Sequence, residues 1–338
     1  MAKKYLCLLL CLLFLAPALP STADANRTPA PISYIPYDEL PPVIEGQHHY
    51  LLLCVDLWKA KERPADQGVP TKNGQRVDRF GNTDGIVIVT LDTRAHRIML
   101  TSIIRDALVH KPNEGTGRIN RIYNDYGPEE LCRTISEHIG VRIEKYILFD
   151  FTQIANIVDY LGGVDIDLKY YEIDYLRRYA VPPKSVTSVD TGKDLRSSGN
   201  HPEGVYHFRG HSAVLYMRIR KAGGGGDFMR TQRVRTVLST LADKCRSISW
   251  EDAQALVNNV MDNSTMTNAN LEEMMDAAAQ AYSLRTCTIE ELRLPVDGAV
   301  EAINFANMAA QEVDWLTCRQ AMDNYLQNSF LVIDDEEE

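Results

Sequence analysis

Several familiar signals are missing from this sequence, and each absence closes off a class of chemistry. Gly223–Gly226 is not followed by Lys-Ser/Thr, so there is no Walker-type nucleotide loop. Gly210-His211-Ser212-Ala213-Val214 lacks the closing glycine of a nucleophile elbow, which leaves Ser212 a rival nucleophile without its turn. There is no H-E-x-x-H, and His48-His49 stands too isolated to make a metal site. Cysteine is scarce: of seven, Cys7 and Cys11 fall in the leader, and Cys54, Cys132, Cys245, Cys287 and Cys318 remain. An odd, widely spaced set without C-x-x-C is neither a disulfide framework nor a zinc site, although Cys245 and Cys287 are able to pair. Positive charge is also short: 36 Lys and Arg against 46 Asp and Glu give −10, which argues against nonspecific nucleic-acid binding. No repeat is present, and the one leucine-rich run, Tyr5 to Leu15, is short for a spanning helix.

That run follows two lysines and precedes Pro17, Pro20 and an Ala23-x-Ala25 site, the pattern of a signal peptide. Export is expected, with residues 1–25 either cleaved after Ala25 or kept as a membrane anchor. Residues 26–48 are proline-rich and read as a tether. A main domain is expected over 49–305, then a helix and an acidic tail over 306–338.

Three apolar stretches, 50–55, 86–91 and 98–104, read as strands. If they are antiparallel neighbours, as the short second connection favours, Asp56, Asp84, Arg105 and Asp106 fall on one edge of the sheet. Two carboxylates from separate loops suit magnesium, with manganese the alternative; the bland reading is that acids at strand ends cap turns. Pro128–Ile139 reads as a helix closed by Gly140, and 146–151 and 164–168 as strands with a helix between them over 152–161. Interleaved strands and helices imply an α/β fold, a central mixed sheet with helices on both faces. Tyr170–Tyr179 is expected as a cover helix, 270–282 as a helix, 289–295 as a strand and 308–330 as a helix.

Residues 204–241 hold six arginines, at 209, 218, 220, 230, 233 and 235, around four glycines and one acid, Asp227. Tyr216-Met-Arg-Ile-Arg220 alternates like a strand that would set Arg218 and Arg220 side by side; a short helix running into an extended end also fits. Asp227 is placed to cap the next helix, whose apolar stripe carries Arg230 inward in its first turn. Paired guanidiniums and a helix N-terminus suit phosphate; a surface salt-bridge network is the plain alternative.

Tyr216-x-Arg218-x-Arg220 followed by Asp227-x-x-Arg230-x-x-Arg233 resembles the signature of the LytR-CpsA-Psr family. Leu53-Cys54-Val55-Asp56 with Asn82-Thr83-Asp84, Thr101–Asp106, Arg118–Tyr123 and Phe149–Leu168 are similar to its other motifs. There are departures: Asn82 stands for an arginine, Ile104 for a proline, and Val234 for a glutamine that Gln232 would replace; Arg79 is the nearest substitute charge. The resemblance implies an apolar lipid pocket beside the sheet. It implies transfer of a teichoic acid or capsular polysaccharide from a polyprenyl-pyrophosphate carrier to a peptidoglycan hydroxyl, outside the cytoplasmic membrane. Asp56 and Asp84 would hold magnesium; Arg105, Arg118, Arg218, Arg220, Arg230, Arg233 and Gln232 would bind pyrophosphate; Asp227 or Asp106 would act as base, with Arg105 beside it. A pyrophosphatase and a non-catalytic lipid-phosphate binder remain open alternatives.

Overall fold

The computed structural model describes residues 28–55, 71–72, 75–76, 82–113, 115–178, 181–219, 222–223, 226–262 and 266–327. The expected leader, Asp56, Arg79, Tyr179, Arg220 and the acidic tail lie outside these residues.

Strand β1, Gln47–Val55, alternates its burial: Leu51, Leu53 and Val55 face one layer, and Leu52 and Cys54 the other. It pairs antiparallel with β2, Thr83–Asp92, which pairs antiparallel with β3, Arg97–Ile103. The three strands are thus neighbours in the order expected. A short ladder, β4 (Leu108–His110) with β5 (Thr116–Arg118), leads into α1, Ile119–Tyr126, and α2, Pro128–Ile139. Pro128 opens α2 and Gly140, at φ +75°, closes it in the left-handed region a glycine reaches without steric cost.

Strand β6, Lys145–Asp150, runs parallel to β1 and ends at Asp150, which caps α3, Phe151–Tyr160, in a reciprocal box with Gln153. Next come β7 (Val164–Leu168), α4 (Tyr170–Arg178), β8 (Val186–Ser188) and β9 (Gly204–Phe208); the three strands form a small antiparallel side sheet in the order β8-β9-β7. Then follow α5 (Gly210–Met217), α6 (Gly226–Cys245), α7 (Trp250–Asp262), β10 (Met266–Thr267) and α8 (Leu271–Ser283), the last capped by Asn270. Strand β11, Ile289–Leu294, is parallel to β3, so the main sheet is mixed, in the order β10-β6-β1-β2-β3-β11.

One face of this sheet packs on α1, α2 and the final helix through Leu51, Leu53, Ile86, Ile88, Ile122, Ile135 and Trp315. The other, through Val87 and Leu100, packs with α5, α6 and the side sheet. Helices therefore cover both faces, as the interleaved pattern implies.

Two expectations are corrected. The helix expected over 308–330 begins only at Trp315 (α9, Trp315–Gln327); before it, β12, Val300–Phe305, and β13, Met308–Val313, make a hairpin. Its turn residues, Ala306 and Asn307, both have positive φ although neither is glycine, so the usual hairpin signal is missing from the sequence. The alternation at Tyr216–Arg220 is not a strand: Tyr216 and Met217 close α5, and the short-helix alternative holds.

The proline-rich segment lies against the domain over 34–40. Tyr34 stacks on His110 with ring centroids 4.4 Å apart, the Ile35 N–H donates to the Glu137 carbonyl at 2.9 Å, and Leu40 is buried. All five cysteines among the described residues, Cys245 and Cys287 included, are free thiols.

Candidate active site

The site forms where β2 begins and β3 ends. Register pairs Val87 with Ser102, and continuing that count sets Arg105 beside Asp84. Their side chains meet: Arg105 Nη1 donates to Asp84 Oδ1 at 2.7 Å. Arg230 comes from α6 on the opposite side and places Nη1 3.4 Å from the same oxygen. Asp106 accepts from Arg118 Nη1 at 3.0 Å and Asn120 Nδ2 at 3.4 Å, and lies 3.7 Å from Arg105 Nε. Three guanidiniums and two carboxylates thus share one sheet edge, with Arg230 only 2% exposed. Such a group carries net positive charge in a partly desolvated place, where an anion is held more strongly than in water.

Backbone contacts explain this convergence. The Asn120 N–H donates to the Arg105 carbonyl and the Ile119 N–H to that of Ala107, which ties the start of α1 to the end of β3. The Ile104 N–H donates to the Leu294 carbonyl at 3.0 Å, a bond that the family's proline at this position would not form. Asn82, in place of the family's arginine, is exposed at the entry to β2.

The six arginines of 204–241 do not gather into one cluster. Arg209 is exposed beside Asp159, and Arg235 is held by Glu291 and Ser102. Arg218 caps α5 with its guanidinium 4.6 Å from the centre of the Phe151 ring. Arg233, expected in the phosphate clamp, is 1% exposed and bound to Glu172 at 2.7 Å and to two carbonyls. Gln232 is exposed, 200° around the helix from Arg230, and does not substitute for the family's glutamine. Because α6 begins at Gly226, Asp227 is its second residue rather than its cap, and Arg230 its fifth.

Ser212 is fully buried with its hydroxyl bonded to that of Ser185 at 2.7 Å, which removes it as a nucleophile. Asn120 lies in the Arg118–Tyr123 motif, but nothing in the sequence marked Glu172, because its partner Arg233 lies 61 positions further along the chain. The contact of Arg118 with the β12–β13 turn, at Met308 Sδ and the Ala309 carbonyl, was hidden by the helix expected there.

Directly behind the charged edge is an apolar cavity of about 160 Å³ lined by Leu52, Cys54, Gly85, Phe149, Val234 and Val237, among others. Gly85 adjoins Asp84 in sequence, and Val234 is one helical turn beyond Arg230. A second apolar cavity of about 270 Å³ shares Leu52 and Leu238 with the first and extends it towards α7 and α8. Among the described residues no group of three or more His, Cys, Asp and Glu is placed to hold a metal ion. Asp84 supplies hard carboxylate oxygens of the kind magnesium takes, although arginines occupy one of them.

Together these features define an α/β protein with a cationic sheet edge and, beside it, a cavity lined by apolar side chains. The chain belongs to the LytR_cpsA_psr family, whose model matches residues 46–322. It is 29% identical over 172 residues to the polyisoprenyl-teichoic acid–peptidoglycan teichoic acid transferase TagV of Bacillus subtilis (strain 168), covering 50% of this chain and 40% of that protein. It is 26% identical over 223 residues to TagT of the same strain, covering 66% and 63%. To biofilm regulatory protein A of Streptococcus mutans serotype c it is 23% identical over 255 residues, covering 71% and 59%. The chain thus spans from 40% to 63% of the length of these relatives. Its fold matches the crystal structure of B. subtilis TagV (TM-score 0.60, 21% identity, 85% of this chain and 98% of that one). It also matches TagT with bound octaprenyl pyrophosphate lipid (TM-score 0.57, 19% identity, 84% and 90%).

Proposed function

We propose that this protein is a phosphotransferase of the cell envelope. It moves a glycopolymer of teichoic acid or capsular type from a polyprenyl-pyrophosphate carrier to a peptidoglycan hydroxyl. The observation that carries this reading is the direct junction of charge and grease: Asp84 and Arg230 on the anionic-ligand side, Gly85 and Val234 on the cavity wall. A pyrophosphate held at the arginines would leave its prenyl chain to run between α6 and the sheet. Membership of the family and likeness to named teichoic acid transferases support the same substrate class.

In this reading the acceptor hydroxyl oxygen attacks the phosphorus nearer the glycan. The bond from that phosphorus to the bridging oxygen breaks, and polyprenyl phosphate leaves. Arg105, Arg118 and Arg230, joined by Arg218 and Arg220, hold the phosphoryl oxygens and offset the charge that grows on the leaving group. Asp227, near the start of α6, takes the hydroxyl proton, with Asp106 the alternative base. Magnesium, held by Asp84 with Asp56, would neutralise phosphate oxygens when bound. The activated bond is already in the donor, so no nucleotide loop is needed. Export across the membrane, by a cleaved or retained leader, brings the enzyme to both substrates.

The test supplies purified protein with a polyprenyl-pyrophosphate-linked oligosaccharide and peptidoglycan fragments, and products are read by mass spectrometry. Transfer gives a phosphodiester between glycan and peptidoglycan, plus polyprenyl monophosphate. Release of free glycan phosphate would instead make the protein a pyrophosphatase, and an unchanged donor would make it a binder.

A further inference from the structure

The buried pair of Glu172 and Arg233 lies outside the chemistry above, yet it touches the segment that delivers the clamp. Arg233 Nε donates to Glu172 Oε1 at 2.7 Å, Nη1 to the Ile219 carbonyl at 2.9 Å and Nη2 to the Ala222 carbonyl at 3.3 Å. The two side chains are 1% and 5% exposed, and the guanidinium sits 5.8 Å from the centre of the Tyr216 ring. Ile219 directly follows Arg218, and residues 219 and 222 bracket Arg220 in the sequence. Helix α4 touches this segment a second time. Gly223 has φ +81°, and a Cβ there would fall 2.5 Å from the Tyr171 ring, so only glycine lets the ring close over the chain.

We propose that Glu172 and Arg233 are positioning residues, which anchor the backbone at Ile219 and Ala222 so that Arg218, the residue before Ile219, meets pyrophosphate in a fixed geometry. A glycine-rich connection loses much backbone entropy when it is ordered, and a rigid five-donor fork is suited to hold two carbonyls at once. Glu172 orients that fork and neutralises it, since an uncompensated buried guanidinium would be costly. No atom of the anchor touches the anion; its effect passes through the backbone. The inference rests on the lipid-pyrophosphate reading and adds the loop's support to it.

The experiment separates head from tail by using two probes on the full chain. Calorimetry measures binding of inorganic pyrophosphate and, separately, of a polyprenol without phosphate to the wild type, Glu172→Gln, Arg233→Lys and Tyr171→Ala. Freeing Ile219 and Ala222 makes binding carry the cost of ordering them, so pyrophosphate affinity is expected to fall about tenfold in the two charge variants, and less in Tyr171→Ala. Polyprenol affinity should stay within about twofold, because the cavity wall is untouched. Pyrophosphate affinity equal to wild type in all three variants overturns the proposal, as does a parallel loss of both ligands, which marks a merely structural pair. Tyr171 is partly exposed and its truncation spares the buried charges, so that variant decides the matter if the charge variants do not fold. A wild type that binds neither probe overturns the lipid-pyrophosphate reading itself, and the positioning role with it.

Discussion

Replacing Asp84 by asparagine should weaken the fold and strengthen anion binding at once. The carboxylate is 9% exposed and faces Arg105 at 2.7 Å and Arg230 at 3.4 Å, the latter guanidinium 2% exposed. Removing one partner from a buried ion pair costs about 3–5 kcal/mol, and the partial exposure of Arg105 puts this case near 3 kcal/mol. For a domain of this size that lowers Tm by roughly 6–12 °C. The same change removes a negative charge that competes for the arginines. Without divalent metal, Asp84→Asn should therefore bind inorganic pyrophosphate about tenfold more tightly than wild type, a gain of about 1.4 kcal/mol that a charge at this range readily supplies. Pyrophosphate at a hundred times its Kd would also restore about 2.7 kcal/mol of the lost stability. Transfer activity should nevertheless fall, because the proposed magnesium ligand is gone. Thermal melting with and without pyrophosphate, and calorimetry with a chelator present, test both halves. A variant that melts within about 1 °C of wild type, or binds pyrophosphate no better without metal, would refute the charge balance drawn here.

Leu238 lines both apolar cavities, so Leu238→Trp should reduce polyprenyl pyrophosphate binding at least about tenfold while leaving inorganic pyrophosphate unaffected, as calorimetry would read. Ser212→Ala should keep full transfer activity and lose only about 1 kcal/mol of stability in urea unfolding, because its hydroxyl serves Ser185 rather than a substrate. His49 and His138 are each held at about 4 against the ordinary 6.5, chiefly because burial disfavours the imidazolium. The unfolded chain thus binds more protons between pH 6.5 and about 4, and stability falls as pH drops through that window. The loss by pH 5 is about 2 kcal/mol per histidine, visible as a lower urea midpoint that His138→Gln should make less steep with pH.

Much of this protein was legible along the chain. The apolar run at 50–55 marked β1, and a proline and a glycine bounded α2 where they should. The short connection from β2 to β3 was enough to bring Asp84 and Arg105 to one edge, because an antiparallel turn returns the chain to its start. Periodicity failed at Met308–Val313, where a short run satisfies both the strand and the helix period and only the partner strand decides between them.

The sequence alone determined the three central strands and most of the helices around them, and that arginines and acids are plentiful near their ends. Only the tertiary structure assigned each arginine its partner. Arg230 and Arg233 sit about one turn apart on the inward side of the same helix, yet one reaches Asp84 and the other Glu172. A guanidinium's role depends on which distant carboxylate lies within hydrogen-bond reach, and local spacing carries no record of that.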